Sequence, residues 1–105
     1  MEVLIRIKRL ILSGRYRFTV KALDELKDDG LEQEDAVESI LNATFISKTL
    51  RSTSPHRTRA GEKLFVIKSF NYSGTFIYTK GKFRQEEGEP VFYILISAKR
   101  STIRD

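Results

Sequence analysis

The chain of 105 residues has no cysteine, no tryptophan, one histidine, one methionine and two prolines. Without cysteine there is no disulfide, no thiolate metal ligand and no thiol nucleophile. That usage suits a reducing compartment. The single histidine, His56, cannot build a zinc site by itself. No apolar run approaches the roughly 18–20 residues that a membrane span requires. Arg6, Lys8 and Arg9 interrupt the apolar residues at the start, where a secretory signal would keep its apolar stretch unbroken. A cytoplasmic address and no membrane partner are therefore expected. No phosphate-binding glycine loop, carboxylate–histidine metal cluster or serine–histidine–aspartate ordering can be placed. No metal and no cofactor are expected.

What is present describes a folded protein. Hydrophobic residues make up 40% and charged residues 31%, a balance for a packed core rather than disorder. The length suits one domain over residues 1–105. The net charge is +5, and it is unevenly spread. Residues 24–38 hold Asp24, Glu25, Asp28, Asp29, Glu32, Glu34, Asp35 and Glu38 against Lys27. Residues 44–84 hold Lys48, Arg51, Arg57, Arg59, Lys63, Lys68, Lys80, Lys82 and Arg84 against Glu62. A segregated basic half suits a polyanion; a solvated surface with uneven charge would look the same. The acids read as solvated helix faces.

Val3, Leu4, Ile7, Leu10 and Ile11 recur at helical spacing, and Ser13-Gly14 ends that helix. Phe18-Thr19 opens a second helix, with Thr19 as N-cap and Ala22, Leu23 and Leu26 inward. Gly30 suits the left-handed position after a helix end. Leu31 leads into a third helix with Ala36, Val37, Ile40 and Leu41 inward, and its first-turn acids complement the dipole. The period then changes. Residues 45–50 read as a strand, and 51–61 as a polar loop. Residues 63–70, 75–83 and 91–99 read as three further strands. Asn71-Tyr72-Ser73-Gly74 is a turn signal, and 84–90 is a link. The expected fold class is α+β, with N-terminal helices packed on one face of a mainly antiparallel four-stranded sheet.

Alternation along those three strands separates two sets. Phe65, Ile67, Ile77, Phe83, Phe92, Ile94 and Ile96 form an apolar parity. Lys68, Tyr78, Lys80, Lys82, Tyr93, Ser97 and Lys99 fall on the other, together with Leu64, Val66, Phe70, Phe76 and Leu95. The second face is thus basic, tyrosine-bearing and partly covered. Lysine, arginine and tyrosine can cleave RNA without metal. Cations stabilise the phosphorane. A tyrosine or lysine whose pKa is lowered by neighbouring cations can exchange protons with the attacking 2′-hydroxyl and the leaving 5′-oxygen. Lys80 and Lys82 join this face as RNA-binding candidates, as do His56, Arg57 and Arg59 in the loop. The same residues also suit a packed strand tyrosine, solvated strand-end lysines and an ordinary loop.

An ordered set of short strings resembles the MqsR-type toxins. It runs Ile7-Lys8-Arg9-Leu10-Ile11, Gly14-Arg15-Tyr16-Arg17-Phe18-Thr19, Ala22-Leu23 and Gly30-Leu31. It continues through Phe45-Ile46-Ser47-Lys48 and Ile77-Tyr78-Thr79-Lys80 to Ile96-Ser97-Ala98-Lys99-Arg100. The chain is also similar to the broader RelE superfamily in its order of helices and sheet. The resemblance implies a RelE-like fold and a metal-independent endoribonuclease acting on mRNA, the toxin of a type II toxin–antitoxin system. It implies Lys48, Tyr78 and Lys99 as catalytic residues. The family's catalytic glutamine has no glutamine counterpart here, and Lys68 is the candidate replacement. The implied partners are mRNA, the ribosome, and an antitoxin with zinc-binding and helix-turn-helix domains. Two other functions fit the residues: a non-catalytic RNA- or ribosome-binding module, and a protein-interaction domain docking through charge or a sheet edge.

Overall fold

A computed structural model describes residues 2–52 and 62–102. Helix α1 spans Glu2–Leu12 and buries Leu4, Ile7 and Ile11 on one face. Gly14 stops it with φ of 75°, a conformation that costs glycine nothing. A short strand β1, Tyr16–Phe18, follows. Helix α2, Val20–Asp28, is capped by Thr19, whose side chain accepts from the Ala22 N–H at 3.1 Å. Helix α3, Gln33–Asn42, starts with the Glu32 N–H donating to Asp35 Oδ2 at 2.8 Å. Strands β2 (Lys48–Arg51), β3 (Lys63–Phe70), β4 (Phe76–Glu86) and β5 (Glu89–Arg100) complete the order.

The class is α+β as expected, but the sheet has five strands and is mixed. Its order is β1-β5-β4-β3-β2, with β1 parallel to β5 and the other pairs antiparallel. The extra strand is Tyr16–Phe18, only three residues, too few to display a period of two. The strand expected over 45–50 begins only at Lys48. The expected link over 84–90 is also corrected. Strand β4 runs on to Glu86 and the chain reverses through Glu87 and Gly88, both with positive φ (52° and 82°). A two-residue hairpin needs such a pair, because its twist matches the flanking strands.

The helices cover one face of the sheet. Leu4, Ile7 and Ile11 of α1 and Ile40 of α3 pack with Phe65, Ile67, Tyr93 and Leu95. Ala22 and Leu26 of α2 pack with Ala36 and Ala98. Tyr93 and Leu95 were expected on the opposite face. The register explains the reversal. It passes from Lys80↔Ser97 to Gly81↔Leu95, so Ile96 is an extra residue in β5. A bulge of this kind inverts every side chain beyond it. Phe92 and Ile94 therefore leave the core, while Ser97 and Lys99 keep the face that alternation assigns them.

Helix α2 lies along the part of β5 that the short β1 leaves unpaired. Thr19 N–H donates to Leu95 O, and Thr19 Oγ1 donates to Ile96 O at 3.2 Å. Glu25 Oε1 accepts from Ala98 N–H at 3.1 Å, and Asp29 Oδ2 from Arg100 N–H at 2.7 Å. An open strand edge is a pairing hazard; here side chains of a helix terminate it. Helix α3 acts similarly at the β3–β4 turn. Asp35 accepts from Asn71 Nδ2 at 2.9 Å, and Glu38 from the Tyr72 N–H at 2.9 Å. Four of the acids expected to be solvated are thus hydrogen-bond acceptors that tie helices to the sheet.

Among the described residues, no helix is long and apolar enough to cross a membrane.

Candidate functional site

The face turned away from α1 and α3 is organised in cross-strand rows. Phe70 pairs with Phe76. The next row is Lys68↔Tyr78↔Lys99, and the one after is Lys48↔Val66↔Lys80↔Ser97. Then come Lys82↔Ile94↔Arg17 and Arg84↔Phe92. Adjacent rows are two residues apart along each strand, roughly 7 Å. All four residues singled out as catalytic, Lys48, Lys68, Tyr78 and Lys99, therefore lie on one face within two neighbouring rows.

Tyr78 and Lys99 are in contact across the strands. The Lys99 ammonium lies 5.3 Å from the centroid of the Tyr78 ring, within range for cation–π attraction. Tyr78 is half-buried and Lys99 exposed. The Tyr78 pKa is raised above its ordinary value of 10.0, first by burial and then by the negative charge of Glu25. This corrects the expectation of a tyrosine made acidic by cations. At neutral pH Tyr78 is a phenol that can donate a proton, and it is not a phenolate base.

Glu25 was passed over in the sequence. Its Oε1 accepts from Ser97 Oγ at 2.6 Å as well as from the Ala98 N–H, and its Oε2 lies 3.6 Å from the Lys21 ammonium. Burial pushes its pKa up. The hydrogen bonds from Ser97 and Ala98 and the charges of Lys21 and Lys99 outweigh that, and the net shift is downward from 4.5. The carboxylate is thus held ionised at the margin of the Tyr78–Lys99 row. The spacing of Lys21 and Glu25 signals only a local helix pair; no sequence pattern joins Glu25 to a strand more than seventy residues away.

The other candidates divide. Lys80 is partly exposed at the centre of the face, beside Ser97 and Val66. Val66 is only 3% exposed although it points away from the helices; lysine stems can cover apolar surface of this kind. Lys82 is bound to Glu62, with Nζ 3.2 and 3.3 Å from the two carboxylate oxygens, so its charge is largely neutralised. Arg17, which sequence reasoning missed, lies with its guanidinium 5.1 Å from the Phe92 ring centroid. His56, Arg57 and Arg59 lie outside the described residues.

A cleft of about 670 Å³ opens at the aromatic end of the face. Asn42, Thr44, Phe45, Ser47, Lys48, Lys68, Ser69, Phe70 and Phe76 line it. It therefore shares Lys48 and Lys68 with the rows above. Among the described residues no group of three or more histidines, cysteines or carboxylates is placed to hold a metal ion. Comparison with protein-family models, curated proteins and solved structures returns no match for this chain.

Proposed function

We propose that the basic face binds RNA and cuts it without metal, as the mRNA interferase toxin of a type II toxin–antitoxin pair with a RelE-like, MqsR-type fold. One observation carries this reading: Lys68, Tyr78 and Lys99 occupy a single cross-strand row, with Lys48 and Lys80 in the next. The row gathers from three strands the residue types that RNA cleavage needs. In this reading Lys68 and Lys99 neutralise the phosphate as negative charge builds on it. The substrate's 2′-hydroxyl oxygen attacks phosphorus and gives up its proton to water, and the bond from phosphorus to the 5′-oxygen breaks. Tyr78, kept protonated by its surroundings, gives its proton to the departing 5′-oxygen. Lys48 and Lys80 hold neighbouring phosphates. The partners are mRNA, in solution or on the ribosome, and an antitoxin with zinc-binding and helix-turn-helix domains.

Purified protein freed of any partner should cut RNA in EDTA, and its expression should arrest growth. Tyr78→Phe should slow cleavage by about 10²-fold or more, the range for removing a general acid. Wild-type cutting by Tyr78→Phe combined with Lys99→Ala would refute the site. Failure of the folded wild type to cut any RNA would refute the activity.

The lack of a glutamine counterpart, with Lys68 in its place, favours a second reading. In it the same face holds RNA or a ribosomal surface without chemistry. Retention of intact RNA, weakening steeply with salt, would select it.

A further inference from the structure

Phe45 is 64% exposed and Phe70 is 49% exposed, and both line one cleft with Phe76. The Phe70 and Phe76 rings are 4.7 Å apart between centroids and tilted by 44°. Scattered single apolar residues on a surface need no explanation, whereas contiguous ones mark a binding site. The walls are fixed by backbone contacts. Asn42 Nδ2 donates to Phe70 O at 2.8 Å, Ser47 N–H to Val66 O at 2.8 Å, and Lys68 N–H to Ser47 Oγ at 3.1 Å. A cleft braced in this way needs little ordering when it is filled. Its charge is one-sided: Lys48 and Lys68 line it and none of its nine lining residues is acidic.

We propose that this cleft is a nucleobase subsite, which takes an unpaired base of an RNA strand while the adjoining phosphates lie on the lysine rows. The inference rests on the RNA reading above and narrows it to single-stranded substrate. Two features select the occupant. The aromatic row Phe70↔Phe76 is the immediate neighbour of Lys68↔Tyr78↔Lys99, so one strand can meet both. Aromatic faces beside cations are what sequence-tolerant single-strand binding uses, since every base has a π-face. Bases inside a duplex are stacked on each other and cannot enter.

The chain has no tryptophan, so Phe45→Trp places the sole indole at the cleft. The probes are a 2′-O-methyl RNA oligonucleotide, which has no 2′-hydroxyl to attack and stays intact, its abasic counterpart, its duplex, and an acidic peptide with an apolar anchor. Stacking predicts quenching of the indole by the single strand and much less by the abasic strand or the duplex. Phe45→Ala and Phe70→Ala should each weaken single-strand binding by about tenfold, and Phe45→Ala, at the more exposed position, should leave the thermal midpoint unchanged. Equal, salt-sensitive affinity for the intact and abasic strands without quenching overturns the base subsite and leaves the RNA reading standing. No affinity for any strand at low salt overturns both. Quenching by the acidic peptide alone overturns the subsite in favour of a protein-docking cleft.

Discussion

Gly81→Ala is the substitution whose outcome the geometry dictates most sharply. Gly81 sits in β4, opposite Phe65 and Leu95 on the helix-covered face. A Cβ built there would lie 2.5 Å from Cζ of Tyr93, 2.6 Å from Cε2 and 2.6 Å from the hydroxyl oxygen. Carbon atoms rest at about 3.5–4.0 Å, so ring or strand must retreat by about 1 Å. The ring has nowhere to go. Tyr93 is fully buried, packs edge-on to Phe83 at 5.8 Å, and belongs to the cluster with Leu4, Ile7 and Ile40. Overpacking of this kind costs about 1–3 kcal/mol. The opposite sign would hold without the clash, since replacing a strand glycine by alanine gains roughly 0.5–1 kcal/mol of backbone entropy. At about 4–8 °C per kcal/mol for a chain of this size, Gly81→Ala should lower the thermal midpoint by roughly 4–24 °C. Circular dichroism melts and urea titrations measure it. The penalty should shrink or vanish in a Tyr93→Leu background, giving a coupling energy in the double-mutant cycle. A Gly81→Ala protein as stable as wild type, or a penalty unchanged by Tyr93→Leu, would refute the reasoning.

Three further outcomes are expected. The Tyr93 hydroxyl is buried without a hydrogen-bond partner among the described residues, and burial pushes its pKa up; because an unsatisfied buried group costs about 1–3 kcal/mol, Tyr93→Phe should match or exceed wild-type stability, and a loss beyond about 1 kcal/mol would reveal a partner for the hydroxyl. Glu25 has its folded pKa depressed, so its stabilising contribution is complete above the unfolded carboxylate pKa and drains away as the pH falls through the folded value; urea titrations between about pH 3 and 6 should show Glu25→Gln flattening that dependence, and a parallel curve would contradict the assignment. On the proposed RNA face, Lys80→Ala should reduce the salt slope of single-strand binding by about 0.7, one phosphate's worth, while Lys82→Ala, whose charge is already paired with Glu62, should change it far less; equal slopes for the two variants would show that the ion pair opens on binding.

Most of the helical part of the fold could be read from the chain. The spacing of Leu4, Ile7 and Ile11, the Thr19 cap and Gly30, with φ of 70°, are local signals acting over a few residues. Alternation along residues 63–70 and 75–83 also put Lys68 and Tyr78 on one face, and their direct pairing follows from a turn whose Asn71 carboxamide accepts from the Ser73 and Thr75 N–H groups. In β5 alternation failed, because a bulge is a property of the pairing with β4 and leaves no mark in β5 itself. Lys99 nevertheless reached the expected face, since it lies beyond the extra residue. The acids of α2 and α3 looked like solvent-facing charge because a sequence does not show which backbone N–H groups a strand leaves unpaired.

The sequence by itself determined the α+β class, three helices with their caps, the uneven charge and the residue types available for chemistry. These rest on interactions between neighbours in the chain: helical period, cap hydrogen bonds and turn conformations. The tertiary structure decided the parallel docking of β1, the inversion of Tyr93 and Leu95 at Ile96, the capture of Lys82 by Glu62 and the arrival of Glu25 beside Tyr78. Each depends on register or on contacts between distant segments, where a shift of one residue moves a side chain from core to solvent. That Lys68, Tyr78 and Lys99 share one row was settled at that level, by the pairing of three strands.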